Sequence, residues 1–159
     1  MNHTRPRIDD ILTGFFADAL EDQTGVARRR VLAVEQRLRQ CIEAEGDRML
    51  TDEDYIILAA ERAFDSDHAI ARTMHAEDLL WVLTVFLLDP WRLGDPLALR
   101  VQAQLTDDLT NRIVYGGLVC IECMNHPLQH IREGLAMARK QVNRAQPQKR
   151  RRRAVPHRG

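Results

Sequence analysis

Four side chains with donor chemistry fall within eleven residues, as Cys120-x-x-Cys123-x-x-His126-x-x-x-His130. Thiolate and imidazole are preferred zinc donors, and on one continuous helix residues 120, 123 and 130 would share a broad face. Two features oppose the metal reading. Structural zinc sites generally draw ligands from two separate segments, and Pro127 interrupts the spacing. A redox Cys-x-x-Cys is expected in βαβ surroundings, which this sequence lacks. The favoured reading is therefore two buried cysteines, a residue type most often found inside, and two histidines at a helix boundary. No metal ligand and no cofactor is expected, with Cys120, Cys123, His126 and His130 kept as the weak candidates.

The second chemical feature is charge. The chain carries 23 basic and 23 acidic residues, a formal net charge of zero, yet residues 147–159 read PQKRRRRAVPHRG. Lys149, Arg150, Arg151, Arg152, Arg153 and Arg158 meet no acid there, which leaves 17 bases against 23 acids for the rest. Such a tail can neutralise phosphates and release counterions without reading sequence. It holds no aromatic, so base stacking is not on offer. The competing reading is a solvated tail, or one that lies back on its own acidic body.

A third candidate is the outline of a helix-turn-helix in Ala60–Met74, AERAFDSDHAIARTM. It would turn Asp67, His68, Ala71, Arg72 and His75 toward a major groove. Phe64 stands where the turn glycine belongs and Thr73 where a large apolar residue belongs. The single arginine among acids suits a phosphate backbone poorly. Catalytic signatures are missing: no GxSxG, P-loop, GxGxxG or HExxH occurs. Acidic pairs such as Asp9–Asp10 and Glu77–Asp78 fall at helix starts, where the dipole favours them. His75 beside Glu77 and Asp78 reads the same way, so an enzyme is not expected.

The elements that must carry these residues are helical. Ile8, Ile11, Leu12, Phe15, Phe16 and Leu20 recur at the 3-4 spacing of an amphipathic helix, and Val31, Val34, Leu38, Cys41 and Ile42 do so again before Gly46. Thr51 opens a third helix, with Ile56, Ala59, Ala60, Ala63 and Phe64 as its expected buried side. A short helix around Ala69–Met74 precedes the run Leu79–Leu88, LLWVLTVFLL, which should bury Trp81 and Phe86. A membrane span needs roughly 20 such residues, so this run is a core element and no membrane partner is expected. Asp95–Pro96 is an N-cap followed by proline at the first helical position. The helix it opens should pack Leu97, Val101, Leu105, Leu109, Arg112 and Ile113, and end at Gly116–Gly117. Pro127 opens the last helix, whose Leu128, Ile131, Leu135, Ala138, Val142 and Ala145 form a stripe that could be a dimer seam.

These observations predict an all-α protein: a single irregular or orthogonal bundle of about six or seven helices over residues 7–146, followed by a disordered basic tail over 147–159. Three unpaired-looking cysteines and the absence of a signal peptide point to a reducing, cytoplasmic setting. The functional expectation is a non-enzymatic binding or regulatory protein whose tail contacts nucleic acid. The alternatives are a protein-interaction or scaffold module whose acidic body and basic tail serve self-association, with a homodimer through the last helix, and a small metal-binding protein using the Cys/His cluster.

Overall fold

The computed structural model describes residues 5–145, with the backbone alone for Met49. Seven α-helices fill them: α1 (Ile8–Leu20), α2 (Gly25–Glu45), α3 (Asp52–Phe64), α4 (Ala69–Thr73), α5 (Ala76–Phe86), α6 (Pro96–Tyr115) and α7 (Asn125–Ala145). Single 3-10 turns occupy Gly46–Met49 and Glu122–Met124. Among the described residues there is no β-strand, and an isolated antiparallel bridge joins Arg7 to His75. The all-α bundle expected from periodicity is the observed architecture. The tail over 147–159 lies outside the described residues.

Local signals set most boundaries. The Asp95 carboxylate accepts from Ala98 N–H at 2.9 Å, with Pro96 at the first helical position of α6. Thr51 Oγ1 accepts from Asp54 N–H at 3.3 Å to start α3. The C-terminus of α6 is closed by Gly116, and Gly117 takes φ +67, a left-handed backbone that glycine adopts without a Cβ penalty. Gly46 answers a packing demand instead. A Cβ there would stand 2.9 Å from the Cγ2 of Ile70, so α4 crosses where only a hydrogen fits.

The core lies where α5 and α7 meet, with α6 and α2 closing it and α1 and α4 capping one end. Phe86, Leu79, Leu80, Leu83 and Leu99 are buried there, as are Leu128, Ile131, Leu135, Ala138 and Val142 of α7. The stripe of the last helix, read as a dimer seam, is thus spent inside one chain. Phe86 is buried as expected, whereas Trp81 is half-buried and borders His126, ring centroids 6.1 Å apart. The inner face of α6 also differs from expectation. Leu97 is 42% exposed, and Gln102, Thr106 and Thr110 are buried in its place.

Those polar residues are satisfied locally. Thr106 Oγ1 donates to Gln102 O and Thr110 Oγ1 to Thr106 O, both at 2.7 Å. Gln102 Nε2 donates to Phe86 O at 2.9 Å and Trp91 O at 3.2 Å, and its Oε1 accepts from Leu93 N–H at 2.9 Å. One buried amide therefore fixes the loop between α5 and α6. From the other side Arg37 of α2 lies over the Trp91 ring, 5.2 Å from its centroid, and donates to Pro90 O at 2.5 Å. Glu45 accepts from the Trp91 indole N–H at 3.1 Å.

Candidate functional site

The helix-turn-helix outline does not form a reading head. Its second helix, α4, is a five-residue turn in which Ala69, Ile70, Ala71 and Thr73 are buried. Glu43 of α2 caps it, accepting from Ile70 N–H and Ala71 N–H at 3.3 Å each. Arg72 is held by Glu61 and by the Asp65 and Asp67 carbonyls. His75, at the start of α5, is fixed as well: its Nδ1 lies 3.2 Å from Pro6 O and its Nε2 3.1 Å from the Arg7 guanidinium. Its backbone N–H donates to Asp78 Oδ2 at 3.1 Å. Burial raises the Asp78 carboxyl above its ordinary range, opposed in part by that hydrogen bond. These contacts assign His75 and Asp78 to helix capping.

A cleft of about 830 Å³ runs between α2 and the turn before α4, where His68 adopts a left-handed backbone with φ 55. Three of its four charged side chains are already engaged, Asp67 being the exception. Arg39 pairs with Asp9 at 2.9 Å and Glu35 at 3.3 Å, and Glu43 is the cap just described.

The structure splits the Cys/His cluster into two pairs. Cys120 and Cys123 lie on the turn before α7 with Sγ atoms 3.1 Å apart, and both are exposed, contrary to the burial expected of them. His126 and His130 stand one above the other on α7, ring centroids 4.6 Å apart, and His130 Nδ1 is 3.7 Å from Glu133. Among the described residues no group of three or more His, Cys, Asp or Glu side chains is arranged to hold a metal ion. The hydrogen bond from Cys123, with backbone N–H groups of Cys123 and Glu122, lowers the Cys120 thiol below its ordinary range, and that same bond raises Cys123. Cys41, by contrast, is fully buried, and burial pushes its thiol up to about 12.

The largest departure from the sequence reading is α3. It packs chiefly on α4 and buries a single side chain, Leu58. The side expected to be buried faces outward: Phe64 is 88% exposed, Ile56 72%, and Ala59, Ala60 and Ala63 are exposed between them; Ile57, outside that expectation, is 51% exposed as well. Tyr55 extends this surface and is anchored by its hydroxyl, which donates to Asp47 O at 2.5 Å. Asp52 and Glu53 at one end and Asp65 and Asp67 at the other form an acidic rim. The sequence pattern singled out Ile56, Ala59, Ala60, Ala63 and Phe64 but put them inside, and it passed over Tyr55 and Ile57. The signal that could have placed them is the breadth of the apolar arc, too wide for a helix with one neighbour.

No helix among the described residues is long and apolar enough to cross a membrane. Lys149–Arg153 and Arg158 lie outside the described residues. Comparison with protein-family models, curated proteins and solved structures gives no match for this chain.

Proposed function

We propose that this protein is an interaction module that self-associates through the outer face of α3, two copies pairing face to face. The exposure of Phe64 and Ile56 on a helix that gives the core only Leu58 carries this reading. Taking aromatic side chains at about 200 Å² and isoleucines slightly less, the four large residues expose roughly 500 Å². That is at the scale of the largest apolar patches on monomers, which are often functional. Pairing two such faces, alanines included, would cover at most about 1,000–1,200 Å² in total, the lower edge of specific interfaces. Ala59, Ala60 and Ala63 at the centre allow a second helix close approach. A twofold pairing needs one self-complementary patch, and this face supplies it.

The acidic rim gives the reading a sign. Like charges on two copies repel, so added salt should strengthen this dimer, whereas pairing with a basic partner would weaken. Sedimentation equilibrium of the full chain across a salt series tests it. The expected result is a dimer at micromolar concentration that Ile56→Asp and Phe64→Asp each convert to a monomer of unchanged helicity. A wild-type monomer throughout, or a dimer indifferent to both substitutions, overturns the reading.

A second reading rests on the six cations without an acid at 149–158. The tail would contact nucleic acid through phosphates, within the cytoplasmic setting read from the cysteines. Fluorescence anisotropy on unrelated duplexes should then show weak binding, lost on truncation at Gln146, with log K falling by about 0.9 per phosphate neutralised as log salt rises. Equal binding by the full and truncated chains, or none by either at low salt, excludes it.

A further inference from the structure

The paired thiols before α7 have no part in the interface just proposed. We propose that Cys120 and Cys123 are a reactive dithiol that closes to an intramolecular disulfide by exchange with a small-molecule disulfide. The Sγ atoms already stand 3.1 Å apart. A disulfide bond is about 2.0 Å long, so closure needs about 1 Å of side-chain approach. Both residues are exposed, so an external disulfide reaches them without unfolding. The turn is held at its base by Met124 N–H, which donates to Cys120 O at 3.2 Å and Ile121 O at 3.1 Å. Val119 before it is buried and Met124 after it packs on the core, which keeps the two thiols on one short, anchored segment.

The two sulfurs are not equivalent. Cys120 accepts from the Cys123 thiol and from backbone N–H groups, an arrangement that favours its thiolate, the attacking form. Cys123 is the donor and stays protonated longer, as suits the resolving position. In the first step the Cys120 thiolate attacks one sulfur of R–S–S–R, forming Cys120–S–S–R and releasing R–S⁻. In the second, Cys123 loses its proton and attacks Cys120 Sγ, forming the Cys120–Cys123 bond and releasing the second R–S⁻. The protein dithiol gives up two electrons, the external disulfide takes them, and the two thiol protons finish on two R–SH. Cys41 is spared because it is buried and its thiol is pushed up to about 12.

The experiment equilibrates the reduced full chain with a glutathione redox series, then acid-quenches it for thiol counting and intact mass. The wild type is expected to lose two reactive thiols and the mass of two hydrogens, with no adduct, and to recover both in excess reduced glutathione. Cys123→Ala, which lacks the resolving thiol, should accumulate one glutathione on Cys120, and Cys120→Ala should form no internal disulfide. In the wild type, where the thiol–thiol hydrogen bond is intact, a limiting pulse of alkylating agent should label Cys120 ahead of Cys123. Three outcomes overturn the proposal: stable glutathione adducts on the wild type, disulfide-linked dimers in place of internal closure, or equal labelling of the two thiols in the wild type. Both variants alter an exposed turn, and unchanged far-ultraviolet dichroism confirms that each is folded.

Discussion

Replacing Gln102 with leucine removes the one side chain that joins α6 to the α5–α6 loop through three hydrogen bonds. Leu93 N–H loses its acceptor and Phe86 O loses a donor, while Trp91 O keeps only the longer bond from Arg37 Nε at 3.4 Å. At about 1 kcal/mol net per bond the loss is about 3 kcal/mol, and more if the stranded amide stays dry. The leucine recovers about 1 kcal/mol or less by burying carbon where the amide was. A net destabilisation of about 2–3 kcal/mol follows, a fall in Tm of roughly 4–12 °C for a chain of this length. Urea unfolding followed by dichroism at 222 nm measures it, with the m-value expected to stay constant because the surface exposed on unfolding is unchanged. Thr106→Val, one turn along the same buried face, is the internal comparison. It removes a bond to a carbonyl in its own helix and should cost under about 1 kcal/mol. If Gln102→Leu costs less than about 0.5 kcal/mol, or no more than Thr106→Val, the loop is held by the Arg37–Trp91–Glu45 contacts alone and the reasoning fails.

Phe86→Ala should destabilise by about 3–5 kcal/mol through transfer and cavity terms, since Phe86 is fully buried where α5 meets the core; a loss under about 1 kcal/mol in the same urea assay would refute that placement. Asp78 binds its proton more tightly folded than unfolded, so its contribution to stability is greatest in acid and falls as pH rises from 3.8 through its raised folded value. Asp78→Asn should flatten that part of the stability–pH curve, whereas an unchanged slope would show that another group sets it. Metal analysis of the protein as isolated should find no near-stoichiometric zinc, because thiols and imidazoles stand as two separate pairs, and one zinc per chain released by chelator with loss of stability would overturn this.

How far the sequence could be read depended on whether a local rule or a neighbour made the decision. Asp95–Pro96, Thr51 and Gly116–Gly117 act within one or two turns, and each marks a boundary where the pattern put it. The apolar stripes of α1, α2 and α7 are narrow, so their buried faces were legible too. The run Ile56–Ala60 has no polar side, and which part of its circumference is covered depends on α4, a five-residue helix with little surface to give. Periodicity alone therefore chose the wrong face. On α6 the inner row includes Gln102, Thr106 and Thr110, which a hydrophobic pattern passes over because their burial depends on partners elsewhere in the fold. The closeness of the two thiols is a matter of turn geometry, and the Cys-x-x-Cys spacing suggested it, but their exposure could not be read from residue type.

That α3 buries one leucine separates two kinds of evolutionary constraint. Substitutions on the core helices are screened by folding itself, because each disturbs packing shared by several elements. On α3, the six exposed apolar positions Ile56, Ile57, Ala59, Ala60, Ala63 and Phe64 take little part in that packing. Selection there acts almost wholly on what the face meets. The face can thus be re-engineered on an unchanged scaffold, and related chains should differ most along the helix that the fold uses least.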